Sequence, residues 1–253
     1  MSEEIAASVY IITLNEENNI QAVLENVKNF NEVIIVDSGS TDNTLALAAK
    51  YKNVSIHEQT WLGFSAQKSF ALNLCKNEWV LNLDADEICT TEFIDEVTTL
   101  IKENSHEALQ SNRLLLRHGD RVRHFGGEDR LIRFFQKSFG NYQTRRVHES
   151  ISITGNVKST SASILHFENL TLSQRFEKAN RYSELKAEDK LERGDIAYSI
   201  VIMLIFPVSF IQFFIFKGHF LGGINGFITS MNAAFYNFMK YSKLRELRKI
   251  KNL

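Results

Sequence analysis

The chain has 253 residues, of which 44% are hydrophobic, 11% aromatic and 23% charged, and this composition excludes disordered, collagenous and low-complexity proteins. Its 29 Lys and Arg against 30 Asp and Glu leave a formal charge of −1, so no general affinity for nucleic acid is implied. Two cysteines without metal-ligand spacing, Cys75 and Cys89, suit a reducing compartment, and the start Ser2-Glu3-Glu4 reads as free of a secretory signal.

The first hundred residues alternate strand and helix patterns. Residues 8–14 (SVYIITL) form a β-branched apolar run, as in a strand buried on both faces. Residues 16–29 place Ile20, Val23, Leu24 and Val27 at helical spacing. Val33 to Val36 is a second strand, 41–51 a helix, 53–58 a third strand and 65–75 a helix. Trp79 to Leu83 is a fourth strand and 91–103 a further helix. Strands separated by helices of this length predict an α/β fold with a mostly parallel sheet flanked by helices.

From 111 to 168 the segments become shorter, basic and aromatic, and 113–148 hold nine Lys or Arg against three acidic residues. Residues 171–193 predict a charged amphipathic helix. The run 196–216 then carries no charge for 21 residues, about the length needed to span a bilayer, although Pro207 interrupts it. A span, a re-entrant or surface-lying element, and ordinary core or oligomer contact all remain open. The glycine-rich apolar segment 218–239 follows, and residues 240–253 hold six basic side chains against one acidic. Apolar surface beside clustered Lys and Arg suits an anionic membrane surface, although a solvated helix has the same pattern.

In open parallel sheets, ligands bind beyond the carboxyl ends of the strands. Three polar clusters fall there: Thr13 to Glu17, Asp37 to Asp42, and Asp84-Ala85-Asp86. Carboxylates gathered on one rim repel unless something positive is bound among them, and oxygen ligands favour magnesium or manganese. A lone Asp-x-Asp is weak evidence, but one that ends a strand and joins two other polar strand ends is specific. The first strand leads into Leu14-Asn15-Glu16-Glu17 rather than a glycine turn, so a dinucleotide fingerprint is absent, as is a Walker A loop.

The segments SVYIITLNEE (8–17), VIIVDSGSTDNT (33–44) and WVLNLDADE (79–87) resemble the signature segments of family 2 inverting glycosyltransferases with the GT-A fold. GFSAQK (63–68), DRLIRFF (129–135), RVHE (146–149) and GGINGF (222–227) are similar to the subgroup that glucosylates inner-core heptose of lipopolysaccharide. The resemblance spans nearly the whole chain and is stronger in its donor half.

The resemblance implies that Thr13, Asn15 and Glu16 line the nucleotide pocket and that Asp37 bonds uracil or ribose, a helix cap being the plain alternative. Lys68 would approach base or diphosphate, or be a surface lysine. Asp84 and Ala85 join the donor site, and Asp86 binds a divalent metal, magnesium or manganese, with His148 or His166 as a further ligand. Asp129 is the expected base, with Glu128 and Glu149 as alternatives. Arg130, Arg133 and Arg146 are expected on the acceptor, within a larger set (Arg113, Arg117, Arg121, Arg123, Arg145) in excess of what a metal-bound UDP needs; solvated arginines are the alternative.

The implied protein has a catalytic domain over 1–168 and a helical, membrane-associating region over 169–253. It would move glucose from UDP-glucose, with inversion, onto a heptose of a lipid A–core acceptor at the cytoplasmic face of the bacterial inner membrane, as a peripheral or monotopic protein. Another lipid-linked acceptor, or a catalytically silent binding protein of the same fold, are the alternatives.

Overall fold

The computed structural model describes residues 4–117, 119–122, 129–142, 151–168 and 170–251. They divide into two compact units. The first holds the described residues up to Leu116 together with 129–167, and the second holds 117–122 and the described residues from Glu168 onward. Residues 117–122 thus group with the C-terminal helices, where the sequence put them with the N-terminal part.

The first unit comprises β1 (Ile5–Thr13), α1 (Ile20–Asn26), β2 (Phe30–Asp37), α2 (Thr44–Ala48), β3 (Val54–Glu58), α3 (Phe64–Leu74), β4 (Trp79–Asn82), β5 (Glu87–Cys89), α4 (Thr91–Glu103) and β6 (Ala108–Arg117), whose last residue falls to the other unit. After the two-residue β7 (Asp120–Arg121) of the second unit come β8 (Asp129–Gln136), the short pair β9 (Gly140–Tyr142) and β10 (Ile151–Ile153), and β11 (Val157–Phe167). The main sheet runs β3-β2-β1-β4-β8-β6-β11-β5. The run β3-β2-β1-β4 is parallel, as expected. Beyond it the sheet is mixed: β8 lies antiparallel between β4 and β6, and β5 antiparallel on β11.

Both faces of the sheet are covered, which is why the strands read as continuous apolar runs. Alternate residues serve opposite layers. Val9, Ile11, Val33, Ile35, Leu81 and Phe134 pack with Ile20, Val23 and Leu24 of α1 and Phe93, Val97 and Leu100 of α4. Tyr10, Ile34, Val36, Val80 and Phe135 pack with Ala71 and Leu72 of α3 and with Cys75 just after it. Trp79 stacks on Phe134 at 4.9 Å between centroids.

Helices α1 and α2 are shorter than their periodicity suggests, and the reason is local. Asn15 takes a left-handed φ of 57°, and residues 15–17 bond across to 40–44 instead of joining a helix. Asn15 N–H donates to Ser40 Oγ (2.8 Å), Thr41 N–H to Asn15 Oδ1 (2.8 Å), Glu16 N–H to Thr44 Oγ1 (2.8 Å) and Asn43 N–H to Glu17 Oε2 (3.1 Å). Short polar side chains competing for backbone groups delay both helices.

The second unit contains α5 (Leu172–Glu192), α6 (Ser199–Ile211) with a π turn to Phe216, and α7 (Gly223–Ile250). A capping box between Thr171 and Gln174 opens α5. Pro207 lies inside α6 rather than ending it. Ser199–Phe216 is long and apolar enough to cross a membrane by length and composition, and only 6% of it is buried. Met203, Leu204, Val208, Ile211, Ile215 and Phe216 are exposed on it, as are Ile224, Phe227, Met231 and Phe235 on α7. Where α7 begins it is tightly packed: a Cβ on Gly226 would lie 1.7 Å from the His219 carbonyl oxygen, so only glycine fits.

Candidate active site

The parallel register sets Thr13 beside Asp37 at the ends of β1 and β2. Asp37 is fully enclosed by local donors. Its Oδ1 accepts the hydroxyls of Thr13 (2.9 Å) and Ser40 (2.5 Å), and its Oδ2 the backbone N–H groups of Gly39 (2.8 Å) and Ser40 (2.7 Å). Burial alone would raise its pKa, but these bonds outweigh it and hold the carboxyl below the usual range. Asp37 is therefore an ionised anchor that shapes the corner between Thr13 and Ser40.

The second acidic strand end forms a compact turn. Asp84 and Glu87 are doubly bonded to each other, with Glu87 N–H donating to the Asp84 carbonyl (3.0 Å) and Asp84 N–H to the Glu87 side-chain Oε2 (3.1 Å). Lys68 from α3, itself buried, reaches Asp84 Oδ1 at 2.7 Å. Arg133 from β8 bonds Asp84 Oδ2 at 2.7 Å and Glu87 Oε1 at 2.5 Å. Burial would raise the Asp84 pKa, yet Arg133 and Lys68 hold it well below the carboxylate range. Burial lifts Glu87, and the Asp84 charge adds to that lift, against the pull of Arg133. Arg133, enclosed by both carboxylates, is held firmly charged despite its burial.

These pairs revise two expectations. Crowding at the rim does not by itself call for a metal, because Asp84 and Glu87 already have cationic partners within the fold. Arg133, expected on the acceptor, is 6% exposed and committed to the acidic turn. Arg113 is likewise engaged, with Asp129 at 2.9 Å and Glu87 at 3.9 Å. In the second unit Arg117 is held by Glu168 and Thr229. Three arginines of the stretch, Arg113, Arg117 and Arg133, thus serve pairing within the fold.

Asp86 differs from its neighbours. Antiparallel pairing of β5 with β11 sets His166 opposite Glu87, and Phe167 N–H bonds the Asp86 carbonyl at 2.9 Å. The His166 Nε2–H then donates to Asp86 Oδ2 at 3.0 Å, with both side chains partly exposed at 25% and 30%. Burial disfavours a charged imidazole, but Asp86 outweighs it and raises the His166 pKa. Among the described residues no group of three or more His, Cys, Asp or Glu is arranged to hold a metal. The partly exposed Asp86 carboxylate, once its bond to His166 gives way, nevertheless fits a cation that takes its remaining ligands from water and substrate phosphates, with His166 beside it as a second donor.

The other expected residues are placed as follows. Asn15 and Glu16 form the β1–α1 corner described above, and Glu16 Oε2 also accepts the Asn19 amide at 2.8 Å. The Ala85 side chain packs in the core layer with α1 and α4. Asp129 opens β8 with its side chain 62% exposed, and Arg130 beside it is exposed too. Glu128, Arg146, His148 and Glu149 lie outside the described residues. The sequence reading assigned no role to Glu87 and underweighted Gln67, which is wholly buried beside Lys68. Glu87 follows the Asp-x-Asp directly, but its partner Arg133 lies 46 residues on, and only the strand order brings the two together.

The family model described as "Glycosyl transferase family 2" matches residues 8–162. The lipopolysaccharide core biosynthesis glycosyltransferase LpsC of Rhizobium meliloti (strain 1021) is 31% identical over 263 residues, which covers 99% of this chain and 96% of that protein. An uncharacterized glycosyltransferase of Rickettsia bellii (strain RML369-C) is 33% identical over 254 residues, covering 95% of this chain and 86% of its own. Among solved structures, S. aureus TarS 1–349 in complex with UDP-GlcNAc aligns over 97% of this chain and 91% of its own, with a TM-score of 0.51 and 14% identity. At that identity the likeness speaks to fold alone, and the fold is the GT-A arrangement with a helical C-terminal region.

Proposed function

The chain belongs to glycosyl transferase family 2, and from that membership we propose a metal-dependent, inverting transfer of a hexose from a UDP-sugar to the inner core of lipopolysaccharide. Glucose is the proposed donor sugar and a core heptose the acceptor. The observation that carries this reading is the turn Asp84 to Glu87, with Asp84 locked by Lys68 and Arg133 and Asp86 partly exposed beside His166. LpsC, similar along its whole length, supports a core-oligosaccharide acceptor.

Each residue has a part. The corner made by Thr13, Asn15, Glu16 and Asp37 gives the nucleotide a rigid floor, because its polar groups are already fixed by one another. Asp86 and His166 would hold the divalent cation, which when bound offsets the charge of the departing diphosphate. Lys68 and Arg133 keep Asp84 ionised and immobile, so the turn does not reorganise when the donor arrives. Asp129, accessible and oriented by Arg113, accepts the proton of the acceptor hydroxyl as that oxygen bonds the anomeric carbon. The bond from that carbon to UDP breaks on the opposite side, so an α-linked donor gives a β-linked product. Arg130, exposed beside Asp129, suits an anionic acceptor.

The second unit supplies the reason for a lipid-linked acceptor. The apolar faces of α6 and α7 are exposed, and no Asp or Glu occurs between Ile196 and Arg245. With Arg245 and Lys249 in the last turns of α7 and Lys251 just after it, these helices suit an anionic bilayer surface at the cytoplasmic face of the inner membrane. The test is transfer of radiolabelled glucose from UDP-glucose, with manganese, to lipopolysaccharide ending in inner-core heptose and to polyprenyl phosphate. Label on the heptose-terminated core alone supports the reading, label on polyprenyl phosphate alone replaces the acceptor, and no label on either acceptor refutes it.

A further inference from the structure

Trp61, Leu62 and Phe64 lie on and just after the loop between β3 and α3, and they are 46%, 52% and 50% exposed. A single exposed hydrophobe is ordinary, but three within four residues are not. The loop that carries them is fixed. The buried amide of Gln67 accepts Leu62 N–H (3.3 Å) and donates to the Gln59 carbonyl and Ser38 Oγ, both at 3.1 Å. Gln59 N–H in turn donates to the Asp37 carbonyl at 2.9 Å. Gly63, at a φ of 92° that other residues rarely adopt, turns the chain into α3. The Trp61 and Phe64 rings meet edge to face, 4.7 Å between centroids and 87° between planes. A rigid aromatic pair is thus pinned to the Ser38 corner, and the residue after Gln67 is the Lys68 that binds Asp84.

Strand order says which part of a ligand this pair meets. The loop follows β3, the edge strand beside β2, whereas Asp129 stands on β8, four strands away in the order β3-β2-β1-β4-β8. Neighbouring strands are about 4.8 Å apart, so the two places are separated by roughly 19 Å across the sheet. Transfer occurs near Asp129 and the diphosphate near Asp86, which leaves the β2–β3 side for the nucleobase.

We infer that Trp61, backed by Phe64, is the stacking wall for the nucleobase of the donor, and that the Gln67 clamp is what holds it in place. The inference rests on the UDP-sugar reading and adds to it an aromatic residue outside the polar motifs. A flat ring held edge-on by a second ring keeps one face open for stacking, and such stacking tolerates any base with a π face.

Trp61 and Trp79 are the two tryptophans of the chain, and Trp79 is buried against Phe134, so the difference in emission between wild type and the Trp61 variants isolates Trp61. The experiment titrates UDP, and separately pyrophosphate, into the full-length protein with manganese, by calorimetry and tryptophan emission. Wild type, Trp61→Ala and Trp61→Phe are compared, with the remaining Trp79 emission confirming the fold. The inference expects UDP to quench wild-type emission, Trp61→Ala to bind UDP on the order of tenfold more weakly, Trp61→Phe to stay near wild type, and pyrophosphate affinity to be equal in all three. Equal UDP affinity in wild type and Trp61→Ala overturns the inference alone. Emission that responds to anionic vesicles but not to UDP overturns it in favour of a membrane contact. A folded wild type that binds no UDP removes the UDP-sugar reading and this inference with it.

Discussion

The rim of the first unit and the helices of the second satisfy their side chains in opposite ways. At the rim nearly every polar group described has a partner inside the fold: Asp37 has four donors, Asp84 has two cations, and Glu87 shares one of them. In the second unit it is apolar surface that lacks cover, with Met203 72%, Phe216 75% and Ile224 70% exposed. A preorganised polar rim needs only a small charged ligand, because the reorganisation is already done in folding. Apolar helices left bare need an extended apolar environment, since exposed patches of that size are rare on soluble monomers. On the proposed reading, the first region serves a nucleotide and the second a lipid surface.

Breaking the rim at its chemical end should have the largest effect. Asp129→Asn removes the proposed base and should lower the transfer rate by about 10²–10⁴-fold while leaving UDP affinity unchanged, read from kcat and from calorimetry. A variant with full activity would move the role to Glu128 or Glu149. Next in size is Arg133→Met, which leaves buried Glu87 and partly buried Asp84 without their shared cation. Removing one partner of such a cluster costs about 3–5 kcal/mol, and urea unfolding should reveal it; a loss under 1 kcal/mol would show that Arg133 is not the keystone of the turn.

Acid should weaken the same region more gradually. Asp84 and Asp37 have depressed pKa values in the folded chain, so their contribution is fully present above the ordinary carboxylate value of about 3.9 and is lost as pH falls toward their folded values. Glu87 is shifted upward and offsets part of this. The urea midpoint should therefore fall as the pH is lowered below about 4, and a midpoint that stays flat below that point would contradict the network. The smallest effect is expected in the second unit. Arg245, Lys249 and Lys251 changed together to Gln should reduce binding to anionic vesicles, each basic residue being worth about 1 kcal/mol near the surface, with UDP binding untouched. Unchanged sedimentation with vesicles would detach the basic tail from membrane docking.

The parallel half of the fold was legible because its strands are apolar runs ending in polar clusters, and because period and burial agree there. Helix α4 shows the same agreement: Thr90 caps it by accepting Phe93 N–H, Asn104 closes it in a left-handed turn, and its range is the one the periodicity predicts. Helices α1 and α2 are shorter than the sequence suggests because residues 16–17 and 41–43 look helical in isolation but belong to the corner in which 15–17 bond to 40–44. Arg133 was misread for a related reason. An arginine in an arginine-rich stretch gives no local sign of its partner, and its commitment to Asp84 and Glu87 follows from β8 inserting antiparallel beside β4. His166 was one of two candidates to join Asp86, and the β5–β11 register is what brings it there. The sequence named the motif carboxylates, while the charges that neutralise them come from strand pairing, which a linear pattern does not encode.

The central claim is that Asp86 and His166, at the end of a rim already neutralised by Lys68 and Arg133, complete a metal-dependent UDP site. Calorimetric titration of UDP into wild type, Asp86→Ala and His166→Ala, each with and without manganese, tests it most directly. The account predicts metal-dependent binding by wild type, and loss of that metal dependence in both variants without loss of fold. Binding to wild type that ignores manganese, or variants that keep the full metal response, would contradict it.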